Sequence, residues 1–212
     1  MAESKPKTKV RDFKRAAVII AYPCDETLWA GGTILLNTDC DWTIMSVFSK
    51  EGTDRSEKFR KAVKRLNKRA RPVISNIESP DKVDSLQVWQ LQQLLDSTLP
   101  SERFDLVITH SLWGEYSKEK GSNKIAKAVM GMRDSRQIIT KELWMFAYGE
   151  QQGADLPKPS LEADKVMHLP GSTHQEKREI ITDIYGYPED SVEAKAASKK
   201  EAFWVLQPGG RA

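Results

Sequence analysis

Several things are missing from this chain, and each absence narrows what it can be. No apolar run approaches the roughly 20 residues needed to span a bilayer, so a helical membrane protein is excluded. There are only two cysteines, Cys24 and Cys40, too few for a disulfide framework. That scarcity suits a reducing compartment. The opening stretch MAESKPKTKVRDFKR has no apolar signal core, and the expected location is cytoplasmic. There is no internal repeat and no low-complexity tract. The turn after the first apolar run has neither G-x-G-x-x-G nor a phosphate-cradling P-loop, so the backbone is not laid bare there for a dinucleotide or nucleotide. Histidine is scarce as well, with three in the chain and none between His110 and His168.

What is present describes one globular domain. The 212 residues are 39% hydrophobic and 30% charged, enough to bury a core without staples. We divide the chain into a basic flexible N-terminal tail over 1–14, a domain over 15–207 and a short C-terminal tail over 208–212. The formal charge is only +3, but it is uneven: residues 57–71 carry eight Lys or Arg against one Glu. A polyanion such as nucleic acid is therefore one candidate partner. The other reading is a solvated helix face, since no aromatics interleave with the charges as a stacking platform would require.

Strand-like and helix-like segments alternate. AAVIIAY (16–22) reads as a strand buried on both faces. ETLWAGGTILL (26–36) reads as a helix whose paired glycines allow close packing. DWTIMSVFS (41–49), PVISNI (72–77), FDLVITH (104–110) and ELWMFAY (142–148) read as further strands. Between them fall helices over 56–69, 84–99 and 124–132. The first places Phe59, Ala62, Val63 and Leu66 on one face, and the second is expected to turn Leu86, Trp89, Leu94 and Leu95 inward. KVMHL (165–169) and AFWVL (202–206) are candidate late strands. Thr173 and Glu176 suggest a capping box opening a helix to about Tyr185, with His174 near its start expected to face solvent. This order predicts an α/β fold, a single Rossmann-like domain with a mainly parallel sheet flanked by helices. In such a sheet, ligands sit beyond the carboxyl ends of the strands. The loop at 22–26 and the loop at 110–122 then share one edge.

The residues at that edge also carry a resemblance. AYPCDETLWAGGTIL resembles the motif A-H-P-D-D-E-T-L-x-A-G-G-T of the LmbE/PIG-L family of zinc-dependent N-acetylglucosamine deacetylases. FDLVITHSLWGEYSKEK, ELWMFAY, HLPGSTHQEKREIITDIYGY and EAFWV resemble later segments of the family in the same order, over roughly residues 15–207. The resemblance implies a zinc ion held by the motif's His, its second Asp and a later His, with the first Asp as general base. In this chain the first His position is Tyr22, the base position is Cys24, and the second Asp is Asp25, the only retained ligand. The later His falls on Ser122, or on Gly121 in a variant register. A neutral phenol is a poor zinc donor near pH 7 and a serine hydroxyl a worse one.

Three readings follow. The first is a catalytically degenerate deacetylase-like protein with a retained pocket for a small polar or sugar-like ligand and no cofactor. The second is an active metal-dependent amide hydrolase, an N-deacetylase, with zinc in a site rebuilt through His110 or Glu115. The third is a module for anionic partners using the helix at 57–71. The sequence leans toward a non-enzyme, and a homo-oligomer is left open. Ligand contacts are expected from Tyr22, Glu26, Trp113, Glu115 and Tyr116. Cys24 has one more reading, as a nucleophile activated by a helix N-terminus with His110 as its acid/base partner. The alternative is a half-buried thiol filling space left by a carboxylate.

Overall fold

The structure is a computed structural model, and it describes residues 13–77, 85–100, 103–112, 120–149 and 156–206. The expected Trp113, Glu115 and Tyr116 contacts lie outside the described residues, as do most of the two expected tails. The N-terminal tail is nonetheless docked at its end. Phe13 meets Trp144 edge-on, with ring centroids 5.6 Å apart. Lys14 and Arg15 donate their backbone N–H groups to Asp105 Oδ2.

The chain runs β1 (Arg15–Ile20), α1 (Asp25–Leu36), β2 (Asp41–Ser46), α2 (Asp54–Leu66), β3 (Arg71–Ile74), α3 (Val88–Thr98), β4 (Arg103–Thr109), α4 (Lys120–Asp134) and β5 (Ile139–Phe146). A small β6–β7 pair (Tyr148–Gly149 and Lys158–Pro159) follows. Then come β8 (Lys165–His168), α5 (Gly171–Glu179), a π-helical turn (Ile180–Ile184), α6 (Val192–Ala196) and β9 (Lys200–Leu206). The seven-stranded sheet has the order β3-β2-β1-β4-β5-β9-β8. Its first five strands are parallel, and β9 and β8 are added antiparallel. The mixed α/β class with a mainly parallel sheet is thus as the segment order predicts.

The continuous apolar run of β1 has a simple cause. Ala16, Val18 and Ile20 enter one core cluster with Leu28, Ile34, Phe59 and Val63. Ala17, Ile19 and Ala21 enter another, with Leu91, Leu95, Ile125 and Val129. Both faces of the central strand are therefore covered by helices, and no polar alternation is permitted there.

Three expectations need correction. Trp89 is 56% exposed; Leu91 and Leu95 carry the inward face of α3. Trp89 is two residues before Leu91, about 200° around a helix, so it points away. The capping box at Thr173 is not formed, because α5 starts two residues earlier with Pro170 in the capping position. His174, expected to face solvent, bonds through Nε2 to the Ala197 carbonyl at 2.8 Å, and partial burial pulls its pKa down.

The two glycines of α1 differ in what they tolerate. A Cβ on Gly31 would meet neighbours at 3.5 Å, ordinary contact, whereas one on Gly32 would lie 2.3 Å from Leu169 Cδ2. Gly32→Ala should lower stability by about 1–3 kcal/mol, the usual range for overpacking. Gly31→Ala should be near neutral or slightly stabilising through its helix propensity. Urea unfolding of the two variants side by side checks this, and equal effects would contradict the packing.

Asp105 ties the start of β1 to β5, since Lys141 Nζ lies 2.7 Å from its Oδ1. The Lys141 contact, with the two backbone donors, holds its carboxyl down at about 2. A depressed folded-state pKa gives stability that is complete above the unfolded value near 4 and is lost as pH falls toward 2. The shift is worth at most about 2 kcal/mol. Asp105→Asn should lose that stability at neutral pH and flatten the acid limb of stability against pH. Equilibrium unfolding at pH 7 and pH 3 tests it.

Candidate ligand pocket at the sheet switch point

From β1 the chain steps outward to β2 and β3, then returns to β4 on the other side of β1. The loops leaving β1 and β4 therefore diverge and open a crevice beyond the strand ends, the usual ligand position in an open α/β sheet. A pocket of about 190 Å³ lies there. Tyr22, Cys24, Asp25, His110 and Ser122 all line it. The fold thus brings together residues nearly a hundred positions apart. Ser122 borders the pocket from the start of α4; Gly121, the alternative register, is buried and is not among the lining residues.

The turn after β1 is tightly determined. Cys24 caps α1 with φ 95°, left-handed backbone in a non-glycine residue. Such a conformation costs of order 1 kcal/mol and persists only when its surroundings fix it. Here the Cys24 N–H donates to Glu26 Oε2 at 3.0 Å. The Tyr22 N–H donates to Asp25 Oδ2 at 2.9 Å, and the Cys24 carbonyl accepts from Thr27 and Leu28. Glu26 is fully buried and turned away from the pocket, not toward a ligand. Thr27 Oγ1 and Tyr185 Oη each donate to its Oε1 at 2.6 Å. Burial pushes the Glu26 carboxyl up and these donors push it back. Its role is to clamp the turn to the segment following the π-helical turn.

His110 is 1% exposed. Its Nε2 accepts the Ala21 N–H at 2.8 Å, which places the proton of a neutral ring on Nδ1. The same Nε2 is 3.5 Å from Asp25 Oδ2, and the ring packs edge-on against Phe146. Burial drives the Cys24 thiol well above its ordinary value, and Glu26, Asp25 and Glu193 add to the effect. A helix N-terminus alone would move it the other way, so the thiol sits in the direction opposite to that a nucleophile needs.

The remaining walls come from the motif's own helix and from segments that motif did not mark. Arg55, from the start of α2, donates to the Pro23 carbonyl at 3.4 Å and lies 6.0 Å from the centroid of the Tyr22 ring. Tyr187 and Glu193 approach from the other side, after Gly186 turns the chain at φ 80°. Trp29, its ring tilted against Tyr148 with centroids 4.7 Å apart, borders the pocket beside Leu28, both within the motif stretch. For Arg55, Tyr187 and Glu193 the only sequence signal was that Tyr187 closes the DIYGY stretch.

A zinc ion fits these residues poorly. The imidazole nitrogen nearest Asp25 already accepts a backbone N–H, and Asp25 itself accepts the Tyr22 N–H. The two positions where the resemblance expects imidazoles hold a phenol, Tyr22, and a hydroxyl, Ser122. Among the described residues no three His, Cys, Asp or Glu side chains group as ligands for a metal ion.

A Rossmann-like sheet with its pocket at this switch point defines the class of protein; comparison with solved structures places the fold more closely. The chain is similar to N,N'-diacetylchitobiose deacetylase from Pyrococcus horikoshii, at 11% identity and TM-score 0.63, over 93% of this chain and 85% of that one. It is equally similar to GalB, the 4-carboxy-2-hydroxymuconate hydratase of Pseudomonas putida, at 13% identity and TM-score 0.62, over 94% and 98% of the two chains. A deacetylase in teicoplanin biosynthesis matches at 12% identity and TM-score 0.62, over 93% of this chain and all of its own. The chain therefore has the fold of the LmbE/PIG-L deacetylases, as its motifs imply. No protein-family model and no curated protein matches the sequence itself.

Proposed function

We propose that this protein is a deacetylase-fold binding protein: its pocket takes a small polar or sugar-like ligand and carries out no zinc-dependent hydrolysis. The observation behind this reading is that Tyr22, Cys24, Asp25 and Ser122 line one pocket. By the resemblance, three of these are the positions that a deacetylase of this type fills with two imidazoles and a base, and here their chemistry differs. The fold does not oblige deacetylation, since the structural neighbours include a hydratase as well as deacetylases. The reading is tested by metal analysis of the native chain purified in zinc, alongside the variant Tyr22→His/Cys24→Asp/Ser122→His. Stoichiometric, tightly held zinc in the native chain would overturn it.

One observation favours the second reading, an active N-deacetylase with a rebuilt site. Asp25 and His110 are 3.5 Å apart in the same pocket, so a carboxylate and an imidazole are both at hand. The same metal analysis, with an amine-release assay on N-acetylglucosamine substrates, decides between the two. The polyanion reading is less favoured. Arg60 pairs with Glu51, Arg65 with Glu176 and Glu179, Arg69 with Asp41 and Lys58 with Asp54. Much of the positive charge at 57–71 is thus answered inside the fold.

A further inference from the structure

We infer that the pocket selects a small organic cation, a protonated amine, over a neutral amide or an anion. The inference rests on the reading that no metal ion fills the pocket, and it deepens that reading by giving the ligand a charge.

Two carboxylates line the pocket, Asp25 from the head of α1 and Glu193 from α6. A third, Glu26, is buried directly behind the turn. Among the described lining residues the only side chain with a permanent positive charge is Arg55. It is exposed and held at the mouth by the Pro23 carbonyl and the Tyr22 ring. His110 accepts a backbone N–H through the nitrogen nearest Asp25, so in this bonding state it brings no charge. The interior is therefore negative and the rim positive.

Aromatic rings share the lining with the carboxylates. Tyr22, Trp29 and Tyr187 border the same space. An ammonium group is attracted to aromatic faces as well as to carboxylates, and it brings three donors for carboxylate oxygens. An anion inside would meet Asp25 and Glu193 with like charge, and a neutral amide would gain no charge interaction. At Tyr187, burial is the main cause that raises the phenol; Cys24 adds to it, Arg55 lowers it, and Glu193 and Asp25 raise it by smaller amounts.

Calorimetric titration of the full chain in chelator-treated, low-salt buffer tests the inference. The probes are glucosamine, N-acetylglucosamine and glucuronate, which share a pyranose body and differ in charge, with ethanolamine and choline as further amines. Glucosamine should bind at least about tenfold more tightly than the other two sugars, and added salt should weaken it. Glu193→Gln, a change at a partly exposed helix position, should lower glucosamine affinity about tenfold while the melting temperature stays put. Equal or tighter binding of N-acetylglucosamine or glucuronate overturns the inference. So does an unaffected Glu193→Gln variant, or the absence of binding by all three amines. These outcomes are separable from the metal question: a native chain free of zinc that ignores amines keeps the functional reading and loses this one.

Discussion

Replacing Glu201 with alanine is expected to cost at least about 3 kcal/mol, the lower end for breaking a buried ion pair from one side. In a chain of this size that lowers the melting temperature by roughly 6–12 °C. Glu201 and Lys177 are both fully buried, 2.7 Å apart. The carboxylate also accepts the backbone N–H groups of Gly32 and Thr33 and the Thr33 hydroxyl, each at 2.7 Å. Four donors thus converge on one side chain of β9, and three of them come from the middle of α1. Removing it leaves a buried ammonium with no counter-charge and takes an acceptor from two helix N–H groups and a hydroxyl. Each orphaned donor adds about 1–3 kcal/mol, though not additively with the ion pair. Lys177→Met in the alanine background should recover part of the loss by removing the stranded charge, and it cannot restore acceptors to Gly32 and Thr33. If the alanine variant is too unstable to purify, Glu201→Gln provides the measurable step. It keeps an acceptor oxygen and turns an amide donor toward groups that already donate. Thermal and urea unfolding of the three variants decide the matter, and an alanine variant melting within about 2 °C of the parent would show that the pair contributes little.

Nothing in the sequence announces that cluster. Glu201 opens a run that reads EAFWV, where a charged residue looks like a strand boundary. Its partners lie 24 and about 169 positions away. What could be read were features with a local cause. The strands showed because residues buried on both faces must all be apolar, as Ala16 to Ile20 are. The Gly31–Gly32 pair signalled close approach, and Leu169 against Gly32 supplies it. The phase of α3 was misread because Trp89 outweighs its neighbours in apolar content, whereas the Leu91–Leu95 pair sets the buried stripe. The pocket follows the same division. Tyr22, Cys24 and Asp25 are contiguous, and one turn carries them. Ser122 and His110 could be placed only because the strand order brings the loop after β4 beside the loop after β1. Arg55, Tyr187 and Glu193 arrive from three other segments, and no spacing links them. Glu26 was misassigned because a carboxylate in a polar turn looks available. Its burial depends on Tyr185, 159 residues away.

The variant Tyr22→His/Cys24→Asp/Ser122→His should bind zinc on the order of 10³-fold more tightly than the parent, about 4 kcal/mol. Two imidazoles then join Asp25, giving the three protein ligands usual for an open zinc site. The backbone is ready for the middle substitution. Position 24 has φ 95°, and aspartate is among the residues that enter left-handed backbone most readily. Electrostatics make the apo form the weak one. A carboxylate at position 24 would be buried where Glu26, Asp25 and Glu193 already oppose negative charge on the thiol. Without metal the variant should therefore melt below the parent, and zinc should restore it, because a ligand that binds only the folded state stabilises it. The parent should show no comparable rise. Cys24→Asp alone should reproduce the destabilisation without gaining the zinc response, since it supplies no imidazole. Competition with a chromophoric chelator gives the affinity, and melting with and without zinc gives the linkage. A triple variant that is folded yet melts identically in zinc and in chelator would mean that Tyr22 and Ser122 do not stand where the lost imidazoles stood. Amide hydrolysis should lag behind metal binding. His110 still accepts the Ala21 N–H and Asp25 still accepts the Tyr22 N–H, and groups that orient metal ligands matter to activity nearly as much as the ligands do.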